Sequence, residues 1–155
     1  MRRADPRRMT SRRPPEGTVL FLIGMSRPRL RGLGAWWYTF TAMPGMLLHL
    51  RRNRSAGMLS ARLYLGSSLM VVSYWRSVED LRAFAADSAA PHLSRWRVFN
   101  KRYAGTNRVG LWHETYMIGD HETIGSGMAP WGLAEAVGWQ PIGRGQATSV
   151  QRMSA

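Results

Sequence analysis

The most regular feature of the chain is a set of short apolar runs separated by two stretches of helical periodicity. Thr18-Val-Leu-Phe-Leu-Ile-Gly-Met25 is a continuous apolar run of strand length, rich in β-branched and aromatic residues, and predicts a strand buried on both faces. Ser26 to Gly34 has turn character. From Ala35 to Arg52, Trp36, Trp37, Phe40, Met43, Leu47, Leu48 and Leu50 recur at three- and four-residue steps, the pattern of an amphipathic helix. Pro44 falls inside it, so a kink or two abutting helices is expected, with Asn53 or Gly57 as the stop. Met58 to Leu65 and Leu69 to Trp75 flank Gly66-Ser67-Ser68 and predict a β-hairpin. Ser77 stands where an N-cap belongs, with Asp80 three residues on, and Val78, Leu81, Phe84 and Ala85 mark the next helical face. After a break at Ser88 to Pro91, Leu93, Trp96, Phe99 and Tyr103 share one side of a further helix, and Val109 to Ile118 is the last strand.

The order strand, helix, strand, strand, helix, strand predicts an α+β domain of ferredoxin-like βαββαβ type, a four-stranded antiparallel sheet with its helices on one face. In the hairpin, Leu63, Leu65, Leu69, Val71 and Trp75 alternate with Tyr64, Met70, Val72 and Tyr74, so both sheet faces are apolar and the second needs cover. A second copy supplies it, and the expected assembly is a homodimer in which two sheets form one barrel. The expected boundaries are a disordered basic tail over 1–16, the domain over 17–118, and a partly disordered C-terminal extension over 119–155 with a short helix at Trp131 to Val137.

Composition narrows the chemistry. The chain has no cysteine, which excludes thiolate metal sites, iron–sulfur clusters and a cysteine nucleophile, and accords with a reducing cytoplasm. The net charge of +13 raises nucleic-acid binding. However, much of it sits in the Pro- and Arg-rich leader (Arg2, Arg3, Arg7, Arg8, Arg12, Arg13), and the remaining arginines form no single stripe. No apolar run reaches the roughly 20 residues needed to cross a bilayer, and no export signal is legible. The expectation is a cytoplasmic protein with neither a nucleic-acid nor a membrane partner.

Five phrases carry a family resemblance: Val19-Leu-Phe-Leu-Ile-Gly-Met25, Ala42-Met-Pro-Gly-Met46, Tyr74-Trp-Arg-Ser-Val-Glu-Asp-Leu81, Pro91-His-Leu-Ser-Arg-Trp-Arg-Val-Phe-Asn100 and Gly110-Leu-Trp-His-Glu-Thr-Tyr116. Over roughly residues 17 to 140 the chain resembles the DUF4188 family, which is grouped with a fungal fumagillin-pathway monooxygenase. The resemblance implies a dimeric α/β barrel. It also implies a monooxygenase-like enzyme, an oxidoreductase working without a cofactor on an aromatic or polyketide-like small molecule. The alternative is a non-catalytic barrel protein that binds a small molecule or haem. The wider oxygenase group often carries a helical histidine after a strand-ending Trp, and Trp75 with His92 resembles that pair.

On the residues themselves, His92 after Pro91 at a helix start is the first candidate for a general base, since an imidazole titrates near neutrality. Trp96, Asn100 and Tyr103 follow it at helical steps, as a pocket wall or as ordinary core. His113 and Glu114 are adjacent on a strand and so face opposite ways, His113 with Leu111 and Thr115, Glu114 with Trp112 and Tyr116. Glu114 between two aromatics is costly to bury alone. It is expected either to pair with an arginine such as Arg62 on a neighbouring strand or to sit in a pocket as a second catalytic group. Trp75, Trp96, Asn100, Tyr103 and His113 complete the substrate-binding candidates. The histidines His49, His92, His113 and His121 have no metal-ligand spacing, and phosphate-loop, dinucleotide and nucleophile-elbow motifs are missing. No metal site is expected. Haem, which needs a single axial ligand, stays open as the alternative cofactor.

Overall fold

In the computed structural model, residues 4–26, 30–66, 68–87 and 91–154 are described, the side chains of residues 91 and 92 excepted. In chain order the elements are β1 (Met9–Ser11), β2 (Val19–Met25), α1 (Leu33–Arg52), β3 (Met58–Leu65), β4 (Leu69–Trp75) and α2 (Val78–Ala86), then α3 (Pro91–Tyr103), β5 (Leu111–Met117), α4 (Leu133–Val137), β6 (Trp139–Pro141) and α5 (Ser149–Met153). They fall into two compact units, one of Val19–Tyr116 and the other of the flanking segments that end at Thr18 and resume at Met117.

The larger unit is the ferredoxin-like α+β domain, with a four-stranded antiparallel sheet in the order β3-β4-β2-β5. β4 pairs with β2 so that Val19 faces Trp75 and Met25 faces Leu69, and with β3 so that Leu65 faces Leu69. Both hairpin strands begin and end where the alternation of side chains places them. Because successive strand residues point to opposite faces, Leu69, Val71, Ser73 and Trp75 are all buried while Met70, Val72 and Tyr74 between them are half-buried. The buried set meets the helices: Met25, Val71 and Leu69 pack with Ala35, Met43 and Phe99, and Val19 and Trp75 pack with Leu50 and Leu81. At the β5 edge the backbones of Ser26 and Gly110 are joined by an N–H to carbonyl bond of 2.9 Å. Gly24 makes room for an indole there, since a Cβ at that position would lie 2.7 Å from the Trp112 ring.

Two local features match their expected chemistry. The Ser77 hydroxyl accepts from the Asp80 N–H at 3.1 Å, and Glu79 and Asp80 in the first turn of α2 complement the helix dipole. α1 ends at Asn53, whose N–H donates to the His49 carbonyl. Pro44 does not divide α1, which is one helix: Met43 before the proline packs in one core cluster, Leu50 after it in a second, and Met46 packs against both. Gly57 has a positive φ of 89°, and a Cβ there would collide with the Asp80 carboxylate that takes the Arg76 Nε hydrogen bond at 2.9 Å. Gly57→Ala is therefore expected to cost at least about 1–2 kcal/mol from left-handed backbone alone, read as a lower urea midpoint.

The smaller unit corrects the expectation of loose ends. Within the stretch expected as a disordered tail, β1 pairs antiparallel with β6, Met9 opposite Pro141 and Ser11 opposite Trp139, and Met9 is buried. Arg2 and Arg3 lie outside the described residues. The C-terminal stretch expected as an arm or disorder holds β6 and α5, the latter with a reciprocal cap: the Gln151 N–H donates to Thr148 Oγ1 and the Thr148 N–H to Gln151 Oε1. α5 is tied down by Arg152, whose buried side chain donates to Glu122 Oε2 at 2.8 Å and to the carbonyls of Gln146 and Ala147. That hydrogen bond holds the Glu122 carboxyl below its ordinary value of 4.5. A carboxylate depressed in the fold stabilises it above its unfolded pKa, and that contribution is lost as pH falls through the folded value. Acidification below 4.5 is expected to loosen α5 first in the native chain and not in Glu122→Gln, followed by amide exchange at residues 149–153.

Candidate functional site

The three helices of the larger unit do not close fully onto the sheet. Between them lies a cavity of about 490 Å³. Its floor is the helix-facing row of the sheet, including Phe21, Ile23, Val71, Ser73 and Trp75, and its walls come from α1 (Thr39, Met43, Met46, Leu50), α2 (Leu81, Phe84) and α3 (Leu93, Trp96, Phe99). Each contributor sits at a period-correct position, every second residue on a strand and every third or fourth on a helix. The lining is overwhelmingly apolar, the common character of small-molecule sites.

The few polar groups are of two kinds. Thr39 and Ser73 are already engaged: Thr39 Oγ1 donates to the Ala35 carbonyl at 2.9 Å, and the Ser73 hydroxyl donates to the Phe21 carbonyl at 3.2 Å while accepting from Trp75 Nε1 at 3.0 Å. Trp75 therefore enters the cavity as a rigid apolar wall with its one donor satisfied, and its ring packs on Phe84 at 5.4 Å. The others keep hydrogen-bonding capacity: Tyr38, Arg82, Arg95, His113 and Thr115. The Arg95 guanidinium lies over the Tyr38 ring at 5.7 Å and reaches Thr41 Oγ1 at 3.5 Å. His113 leans on Phe21 with ring centroids 5.8 Å apart. No described residue lining the cavity is acidic.

The structure thus brings Trp75, Trp96 and His113 to one cavity and leaves other candidates apart. Tyr103 lines a second hollow of about 340 Å³, bordered also by Trp96 and Phe99. Asn100 is exposed and lines neither. His92 belongs to the first turn of α3, but its side chain lies outside the described residues. Glu114 needs a correction. It is exposed, it is not among the cavity residues, and its Oε2 accepts from the Tyr116 hydroxyl at 2.7 Å, two residues along the same strand face. That bond raises the Tyr116 pKa. An ion pair between Glu114 and Arg62 does not form because β3 and β5 are opposite edges of the sheet.

Tyr38, Arg95 and Thr115 were missed. Thr115 could have been found from its place two residues beyond His113. Tyr38 and Arg95 carry no periodic signal, since they sit at the margins of their helices' apolar faces. Among the described residues no group of three or more histidines or carboxylates is placed to hold a metal ion. No described helix is long and apolar enough to cross a membrane.

Among solved structures, the chain is similar to an aldoxime dehydratase, OxdRE, in complex with butyraldoxime, at 19% identity and a TM-score of 0.55 over 73% of this chain. The chain spans only 35% of that enzyme's length, so the likeness shows the fold and nothing more. SnoaB, a cofactor-independent oxygenase from Streptomyces nogalater, matches at 10% identity and a TM-score of 0.44, covering 66% of this chain and 93% of its own. A hydroxynitrile lyase from Passiflora edulis matches at 15% and 0.43, covering 70% of this chain and 98% of its own. Among proteins of curated function there is no match. Residues 18–133, well over half of the 155, match the family described as Monooxygenase af470-like, and the chain belongs to that family.

Proposed function

We propose that this protein is a monooxygenase that oxidises an enolisable aromatic or polyketide-like small molecule in the cavity between its helices and its sheet, using oxygen without a bound cofactor. The observation that carries the reading is the cavity itself: a Trp- and Met-lined space of about 490 Å³, with no acid among its described lining residues, in a family of monooxygenase type. Such a lining suits flat apolar substrates and sets no negative charge against an electron-rich intermediate.

The proposed step begins with a histidine taking a proton from an activated CH₂ of the substrate. The carbanion passes one electron to O₂, the two radicals combine to a peroxide anion, and the histidinium protonates it to the hydroperoxide. The freed imidazole takes the second C–H proton as the O–O bond breaks and hydroxide leaves, then gives that proton to the hydroxide, so that CH₂ and O₂ become C=O and water. His92 is the proposed base, one and two helical turns ahead of Trp96 and Phe99 in α3, and His113 and Arg95, which line the cavity, are the proposed partners of the substrate oxygen.

A second copy of the chain is the proposed cover for the other face of the sheet. Leu20, Leu22, Met70, Val72 and Tyr74 alternate with the helix-facing rows, and Trp112 and Tyr116 continue this face onto β5 as exposed aromatics. Burial already raises the Tyr74 hydroxyl pKa.

Purified protein is expected to run as a dimer, to show no visible absorption band, and to consume oxygen when given an enolisable polycyclic ketone. A haem or flavin band on which oxygen uptake depends would refute the cofactor-free reading. A monomer at working concentration would refute the dimer.

A further inference from the structure

α1 is unusual on the side that faces away from the cavity. The outward residues of this 20-residue helix are Leu33, Gly34, Trp37, Thr41, Pro44, Gly45 and Leu48, and no charge appears among them until Arg51 and Arg52 in the last turn. A helix on the surface of a globular protein ordinarily turns a charged face to solvent. Here Trp37 is 61% exposed, Leu33 52% and Leu48 48%, and Leu30 just before the helix is 92% exposed. At 100° per residue, Leu33, Trp37, Pro44 and Leu48 form one stripe along about 23 Å of helix, and Arg51 and Arg52 flank its far end.

The charged side chains of this stretch of chain have one sign, and the Asp80 carboxylate that packs beside Gly57 is paired with Arg76. Arg31 precedes the helix, Arg51, Arg52 and Arg54 follow it, and all four are exposed. No aspartate or glutamate occurs between Gly17 and Val78. An apolar stripe with an exposed Trp, capped at both ends by arginines and free of acids, is the composition of a helix that lies in the interface of a negatively charged bilayer.

We propose that the outward face of α1 docks on an anionic lipid surface, with Trp37 and Leu48 entering the headgroup layer and Arg31, Arg51, Arg52 and Arg54 meeting lipid phosphates. This departs from the expectation of no membrane partner, which rested on the lack of a spanning segment. α1 would lie on a bilayer, not cross it. Because the opposite side of the same helix lines the cavity through Met43, Met46 and Leu50, docking would set the cavity one helix diameter from a reservoir of apolar molecules.

The test is sedimentation of the full chain with vesicles of equal parts phosphatidylcholine and phosphatidylglycerol, and with vesicles of phosphatidylcholine alone. Binding to the mixed vesicles is expected, at least about tenfold stronger than to the neutral ones. The double variant Trp37→Ser/Leu48→Ser is expected to lose about tenfold or more of it with an unchanged thermal transition. Should that variant fold poorly, Arg51→Gln/Arg52→Gln, exposed at the helix end, is expected to weaken binding by about tenfold. Undiminished binding by whichever pair folds would place the contact elsewhere, as on the arginine-rich N-terminal segment, and overturn the proposal. So would absence of binding to either vesicle, including the case in which α1 variants change the oligomeric state instead and mark the face as a protein interface.

Discussion

Trp75→Ala is expected to be the most destabilising single replacement in the larger unit, at about 3–5 kcal/mol. The side chain is 2% exposed, sits at the end of β4 opposite Val19, and packs with Leu50, Leu81 and Phe84. Truncation removes all of that contact, and the neighbouring cavity means that little can collapse inward to recover it. Ser73 also loses its indole donor, though its own hydroxyl still reaches the Phe21 carbonyl. Trp37→Ala supplies the contrast. The same side chain at an exposed site is expected to change stability by no more than about 0.5 kcal/mol. Urea unfolding of the two variants checks both, and similar losses would mean that the assignment of inner and outer faces is wrong.

His92→Ala is expected to lower turnover of an enolisable substrate by roughly 10²–10⁴-fold, the range for loss of a positioned general base, with little change in KM or in the thermal transition. His113→Ala should act differently. It lines the cavity wall beside Phe21, so its loss is expected to raise KM more than it lowers kcat. Steady-state oxygen uptake across pH separates the two, because only the base should remove the acid limb of the kcat profile. If the effects are exchanged, His113 is the base and His92 a contact.

Much of this fold is written in local pattern. The hairpin strands, the Ser77 cap and the helix stop at Asn53 depend on side-chain alternation and on a few capping atoms, all within a short window. What local pattern does not carry is partner choice between distant segments. β1 and β6 are three residues each and more than a hundred residues apart, so nothing near Met9 announces Trp139. Strand adjacency is similarly hidden: Glu114 and Arg62 look like partners by charge, but the sheet order puts two strands between theirs.

α1 shows a third limit. The apolar stripe read from its sequence is broad, with Trp37 and Leu48 at one margin and Met43 and Leu50 at the other, so the period predicts a helix without saying which margin is core. Burial selects Ala35, Thr39, Met43 and Leu50 and leaves Trp37 and Leu48 outside. The candidate site was legible to the extent that its members are bulky and period-placed, as Trp75, Trp96 and His113 are. Tyr38 and Arg95 required the helices to be set side by side.

The measurement that bears most directly on the cavity as the reaction site is oxygen uptake by Ala42→Trp. Ala42 lines the cavity from α1, and an indole there would fill the space a substrate needs while costing about 1–3 kcal/mol in packing. The expected result is a folded protein that no longer consumes oxygen with a substrate the native chain oxidises. Uptake at the native rate in that variant would contradict it.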